Sequence, residues 1–397
     1  PPKCWKKVRQ ASSPAFSTGR FTKMMHLVED CARVTGGHLR EVAEERKDID
    51  ARKFFGSYAL DILARCSFGT HIDSYDDETS EFVLKADKAF LGSFSFRLIL
   101  FHLCPGFFKL LRVKPVNTDL FYFYKDLSLS IVKQRLDTNT RHDDFLQLMM
   151  DAQQGAISEP SERAEGHQNT LFDLKDDKKP PRISERLTED EALSQCVMFF
   201  FAGRTTTSST LAFASYMLAL NPDCQTRLRE EVDACFQKHG DCPPWEAVSK
   251  LPYLDGVICE TMRMFPIASR LERTAIEDYT LADTGITLPK DCMVAIPVHA
   301  MHYDPEYFPD PDKFDPERFS TERTSSIRPY TYLPFGAGPR NCIGMRFALQ
   351  SLKLCVLHAV RNAEFVPTAN TKIPLEYRGG YPALSAKSIT VGVRERS

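Results

Sequence analysis

Phe335-Gly336-Ala337-Gly338-Pro339-Arg340-Asn341-Cys342-Ile343-Gly344 is the stretch on which the reading of this chain turns. Gly336 and Gly338 let the backbone turn tightly and come close to a flat object. Pro339 stiffens the turn. Arg340 brings a permanent cation two residues ahead of the sulfur. Met345 to Leu354 reads as a helix, so Cys342 stands at a helix N-terminus, where the dipole and free N–H groups favour S⁻ over SH. One cysteine among twelve is ordinarily a small buried apolar side chain. This one is set in a loop that suits a bare thiolate held against a metal.

The chain has 397 residues, enough for a large core and by default enough for two domains. No linker divides it into self-sufficient halves, so the expectation is one domain over 1–397. Its net charge of −2 gives no reason to expect nucleic acid. The cysteines form no CxxC pair and no regular spacing. They read as reduced thiols facing a cytosol-like compartment. No stretch reaches the roughly 20 apolar residues that span a bilayer, and no signal peptide is visible. The chain begins Pro1-Pro2-Lys3-Cys4 without a methionine. It reads as a piece lacking its natural N-terminus, so the lack of an anchor here says nothing of the full protein.

Most of the sequence reads as helix. Ala51 to Gly69 is apolar at helical spacing, Ser80 to Phe90 is a second helix, and Phe121–Asp137 and Asp144–Gln153 are further ones. Leu91 to Leu111 is dense in Phe and Leu. It reads either as a buried loop with helix ends or as an apolar lid touching membrane and substrate. Residues 155–186 are polar and charged and predict a mobile surface loop. Thr188 and Glu191 have the capping-box form, and Asn221-Pro222 stops the segment they open. That segment is about 48 Å long at 1.5 Å per residue, enough to cross a domain. Cys224–Lys238 and Leu254–Phe265 are helical. Short β-branched runs lie in Thr280–Val298 and again in Phe365–Val393. Pro305–Phe319 is proline-rich coil. The fold class is mainly α with a minor β portion.

Three further clusters carry chemistry. Glu260 and Arg263 share a helix face. Taken alone they read as a surface ion pair worth under about 1 kcal/mol. Trp5 and Arg9, one turn apart, can both donate to one anion, or can simply pack and be solvated. Ala202-Gly203-Arg204-Thr205-Thr206-Thr207-Ser208-Ser209-Thr210 is a poor helix interior. Gly203 costs about 1 kcal/mol relative to Ala, and the hydroxyls can draw carbonyls off the helix ladder. A kink or groove is expected there. Lys3, Lys6, Lys7, Arg346 and Lys353 read either as a basic face for an acidic redox partner or as ordinary solvated charge.

Phe335-x-x-Gly-x-Arg-x-Cys-x-Gly resembles the haem-thiolate loop of the cytochrome P450 superfamily. Glu260-x-x-Arg263 and Phe314-Asp315-Pro316-Glu317-Arg318-Phe319 stand in that family's order. Ser13-Pro14-Ala15-Phe16, Asp144–Met149, Phe265–Ala268 with Arg270–Arg273, and Pro339–Leu349 are similar to the microsomal drug-oxidising family 3 enzymes and the related thromboxane synthase. The likeness runs the length of the chain.

The resemblance implies the P450 fold, with a long central helix over the haem and without the N-terminal anchor and first helices. It implies haem b with Cys342 as the axial thiolate, which favours O–O cleavage. Trp5, Arg9, Arg273 and Arg340 would meet the haem propionates by charge-assisted bonds, with Phe335 and Ala202 also at the cofactor. Glu260, Arg263 and Arg318 would be structural, locking the coil beneath the haem. Met198, Phe201, Ile267, Ala268, Ser269, Arg270, Leu271 and Tyr381 would face a lipophilic substrate.

Thr206 matches the proton-relay alcohol, but Thr205 stands where the family has an acid. The implied function is a monooxygenase that oxidises lipophilic small molecules (xenobiotics, steroids or fatty acids) with O₂. Electrons would come from NADPH through cytochrome P450 reductase and cytochrome b5, at the cytosolic face of the endoplasmic reticulum membrane. Contact with that membrane would run through the missing N-terminus and 91–111. The alternatives are a haem-thiolate isomerase of a lipid peroxide and a haem-binding paralogue without turnover.

Overall fold

The longest helix of this computed structural model runs Glu189–Leu220, 32 residues, and the rest of the fold is arranged around it. The structure describes residues 2–16, 18–76, 83, 119–154, 186–378 and 383–396. The expected loop 155–185, the apolar segment 91–111, Tyr381 and, apart from Val83, the helix expected at Ser80–Phe90 lie outside them.

In chain order the helices are α1 Pro2–Ser12, α2 Thr18–Glu44, α3 Ala51–Phe68, α4 Asp119–Thr138, α5 Phe145–Gln154, α6 Glu189–Leu220, α7 Pro222–His239, α8 Trp245–Val248, α9 Pro252–Met264, α10 Val298–His302 and α11 Met345–Asn362. The strands are β1 Asp48–Asp50, β2 Leu271–Thr274, β3 Tyr279–Thr280, β4 Thr287–Leu288, β5 Met293–Ile296, β6 Glu364–Val366 and β7 Thr390–Arg394. Antiparallel pairing gives a sheet of order β1-β7-β6 and two hairpins, β2-β5 and β3-β4. The fold is thus mainly helical with a small strand portion, as expected. Among the described residues no helix is long and apolar enough to cross a membrane.

Local sequence accounts for the helix ends. Asp50 caps α3 by accepting from the Arg52 and Lys53 amides at 3.0 and 3.3 Å. Gly69 closes it at φ 61°, a left-handed cap that favours glycine. At the start of α6, Thr188 Oγ1 accepts from the Glu191 amide at 3.2 Å, and Glu191 Oε2 accepts from the Thr188 amide at 2.8 Å. Both arms of the expected capping box are therefore present.

The second half of α6, Thr207 to Ala219, is buried on every side. A helix apolar all round belongs in the core. Gly203 is where α3 comes closest: a Cβ there would lie 2.7 Å from a Leu63 methyl. α6 remains helical through 202–210, the stretch where a kink or groove is expected. Its hydroxyls bond back to carbonyls one turn earlier, the geometry that can bend a helix. Thr206 Oγ1 donates to Ala202 O at 2.7 Å and Thr210 Oγ1 to Thr206 O at 2.9 Å. Tyr58 of α3 donates to Ser351 O of α11 at 2.8 Å, joining a third long helix to the core.

Candidate haem-binding site

Cys342 is held from both sides of the chain. Its amide donates to Phe335 O at 2.9 Å, which closes the loop. Gly336 (φ 70°) and Gly338 (φ 76°) take the left-handed turns that this closure needs. Nothing lies within 4 Å of a Cβ built on Gly338, so the loop presents an open backbone surface. The loop then feeds α11, whose N-cap is Gly344.

Cys342 is exposed to solvent, yet surrounding protein atoms still bury and desolvate much of the sulfur. That burial pushes the Cys342 pKa up, while the Gly344 N–H on the sulfur and the nearby Arg9 cation pull it down. The helix-end effect expected from the sequence is thus present, but desolvation outweighs it in the free thiol. A metal would reverse the balance, because a coordinating thiol is deprotonated outright.

Aromatic rings back the loop. A Cβ on Gly344 would sit 3.9 Å from both Phe16 and Phe199. Phe16 meets Phe145 at a tilt and Phe199 edge-on, at centroid distances of 5.1 and 5.3 Å, and Phe199 meets Phe347 at 5.3 Å. Phe199 belongs to α6, so this cluster seats the long helix against the start of α11.

Of the expected propionate contacts, three gather here and one stands apart. Arg340 lies over the Trp5 ring at 4.0 Å, a cation–π contact. Arg9 donates to Asn341 O at 3.1 Å and Asn341 Oδ1 at 2.8 Å. Arg273 is exposed on β2 and donates to the adjacent Glu272 O at 2.7 Å. Its neighbour Leu271 does reach the loop, with a methyl 3.6 Å from a Cβ built on Gly336. Asn341 as the anchor for Arg9 was not legible in the sequence, because it sits 332 residues from its partner.

On α6, Met198, Ala202 and Thr206 recur every four residues and are all exposed. They form one open stripe along the first half of a helix whose second half is set in the core. Phe201 is half-buried beside them against Tyr124 at 5.2 Å. Thr205 is half-buried, and no carboxylate stands at its position. Ile267, Ala268 and Ser269 are half-buried, whereas Arg270 is exposed and pairs with Glu272 at 2.9 Å. Leu384 donates its amide to Ile267 O at 2.8 Å, bringing the C-terminal turn to this segment.

Glu260, Arg263 and Arg318 meet with the coil 310–318, and they are not a surface pair. Glu260 and Arg263 are fully buried. Glu260 Oε2 accepts from Arg263 Nε at 2.7 Å. Its Oε1 accepts from Arg263 Nη2 at 2.9 Å, Arg318 Nε at 3.3 Å and the Asp315 amide at 3.0 Å. Arg263 also donates to His302 O and Pro311 O at 2.8 and 2.7 Å, and Arg318 to Asp310 O at 2.7 Å. Every charge is multiply bonded, which is what burial of an ion pair demands.

The basic face divides. Lys6 and Arg346 are exposed. Lys353 is buried instead, its ammonium 2.6 Å from Asp255 and 3.2 Å from Ser249 O. Lys7 is tied to Glu191 at 2.9 Å. The side chain of Lys3 lies outside the described residues.

A glycine loop that offers one thiol and open backbone, rimmed by arginines and an indole, fits a flat, anionic, metal-bearing ring such as haem. The Cytochrome P450 family model matches residues 1–390. The chain belongs to that family and is a cytochrome P450 monooxygenase, an oxidoreductase whose family cofactor is thiolate-ligated haem.

It is 37% identical to cytochrome P450 3A2 of Rattus norvegicus over 94% of this chain and 70% of that one. It is 38% identical to cytochrome P450 3A5 of Homo sapiens with the same coverage. It is 35% identical to cytochrome P450 3A12 of Canis lupus familiaris over 99% of this chain and 74% of the relative.

Proposed function

We propose that this chain oxidises lipophilic small molecules, with Cys342 as the iron ligand and the open stripe of α6 as the oxygen side. Electrons come from NADPH through a separate flavoprotein reductase, with cytochrome b5 as a second donor. The chain works on the cytosolic face of the endoplasmic reticulum membrane. The likeness to family 3 enzymes over nearly the whole chain supports this, as does the lack of a dinucleotide or flavin motif in the sequence. The observation that carries the reading is the exposed run Met198, Ala202, Thr206 on a helix whose other residues are largely buried.

Haem b, when bound, supplies the redox chemistry that activates O₂. The chain's residues do the rest. The Gly344 N–H and the Arg9 cation favour negative charge on the Cys342 sulfur. Trp5, Arg9 and Arg340 would hold two propionates, Arg273 would join them only on leaving Glu272 O, and Phe335 and Ala202 would lie against the ring. Met198, Phe201, Ile267, Ala268, Ser269, Arg270 and Leu271 would line the substrate side. Their mainly apolar surface excludes water and selects a lipophilic molecule.

Thr206 is the proton-relay alcohol. Its hydroxyl donates to Ala202 O, which leaves its oxygen lone pairs to accept from water on the open face. Thr205 cannot supply a proton as a carboxylic acid would, so the relay runs through Thr206 and water alone. That same residue favours a second reading, an isomerase of a lipid peroxide, which needs neither external protons nor electrons.

Turnover decides between them. The monooxygenase reading expects product from a lipophilic substrate only with NADPH and reductase. Product from a lipid hydroperoxide without either would overturn it. In Thr205→Glu, restoring an acid should clearly raise product formed per NADPH consumed, because a positioned acid is worth about 10²–10⁴ in the rate of the proton-transfer step. Unchanged coupling would mean that the missing carboxylate is irrelevant.

A further inference from the structure

One turn of α1 reaches in two directions. Trp5 and Arg9 share a face and meet the Cys342 loop, through Arg340 over the indole and through Asn341. Lys7 lies two residues from each, about 200° round the helix. Its ammonium meets Glu191 Oε2 at 2.9 Å, 184 residues away.

That oxygen also accepts the Thr188 amide at 2.8 Å, so it is the returning arm of the α6 capping box. A single carboxylate oxygen therefore ends α6 and fastens α1 to it. The two side chains are only 21% and 25% exposed. The next pair along, Lys125 with Asp190 at 2.7 Å, leaves its aspartate 79% exposed and contributes less. The Glu191 carboxyl is held below the usual carboxylate range, first by the Thr188 amide and then by Lys7.

We propose that Lys7 and Glu191 are positioning residues that set the spacing between the Cys342 loop and the open face of α6. This rests on the reading that haem lies between those two surfaces. The Cys loop is joined to α1 on one face, and the first turn of α6 is joined to it on the other. Releasing the Lys7 side lets the Thr206 helix shift relative to the sulfur while the iron ligand stays in place. The cofactor is then held less tightly and protons are delivered less faithfully.

The test uses the full chain loaded with haem. Lys7→Met keeps the packing stem and removes the charge. Glu191→Gln keeps a carbonyl for the cap and removes the charge. Each should speed haem transfer to excess apomyoglobin by about two- to fivefold, the scale of a partly buried ion pair, and shift the ferric spin-state spectrum. The double variant should be no worse than the worse single one. Lys7→Arg should return the transfer rate to the wild-type value.

The carbon-monoxide spectrum of each reduced variant should keep its thiolate form. Transfer and spin state unchanged in Lys7→Met, or additive losses in the double variant, overturn the proposal. A wild-type protein with no thiolate band would instead overturn the underlying reading, and this one with it.

Discussion

His302 shows how far one buried ring can be fixed. Its Nε2 accepts the Leu333 amide at 2.9 Å, so the proton sits on Nδ1 and is donated to Arg263 O at 3.0 Å. The ring stacks on Tyr332 at 5.4 Å. Burial pushes its pKa down to about 4. The unfolded ring titrates near about 6.5, so between those values the unfolded chain binds a proton that the fold refuses. The contribution is complete above about pH 6.5 and is lost as pH falls towards 4. Denaturant unfolding across that range should show this loss, on the order of 3 kcal/mol. In His302→Gln the same slope should be missing, and an identical slope in the variant would contradict the assignment. Nothing near residue 302 in the sequence marks it, since its partners lie 39 and 31 residues away. Cys342 is the opposite case, because its glycines, cation and following helix are all local.

Elements are readable where their ends are built from neighbouring residues. The Thr188–Glu191 box and Gly69 mark helix ends that the structure places within a residue or so. Burial between elements is harder to see. Glu260-x-x-Arg263 is a common surface spacing, and only the arrival of Asp315 and Arg318, 55 and 58 residues on, makes it a core network. Lys353 likewise looks like surface charge until Asp255 is brought to it. The hydroxyl run of α6 lies between the close approach of Leu63 to Gly203 and the buried stretch 207–219, neither of which is marked in the local sequence.

Gly256 shows the same dependence on a distant segment. A Cβ there would lie 2.5 Å from Pro316 O, a backbone atom that cannot swing aside. Gly256→Ala should therefore destabilise the protein by about 1–3 kcal/mol. Gly37→Ala, in the middle of α2 with nothing within 4 Å, should stabilise it by up to about 1 kcal/mol. Denaturant midpoints would measure both. A neutral Gly256→Ala would mean that the coil at Pro316 is free to move.

At the scale of the molecule, chain ends far apart in sequence build one place. Arg9 and Asn341 are 332 residues apart and in direct contact. Lys7 and Glu191 are 184 apart. The motifs and their order were legible in the chain, but not the way α1 holds both the sulfur loop and the long helix. The family likeness covers the same length, with residues 1–390 matched.

The account stands on Cys342 as the iron ligand. The carbon-monoxide difference spectrum of the reduced, haem-loaded protein tests it most directly. The wild type should give the red-shifted Soret band of thiolate ligation, and Cys342→Ser should lose it. A red-shifted band that survives in Cys342→Ser would place the ligand on another side chain and contradict the account.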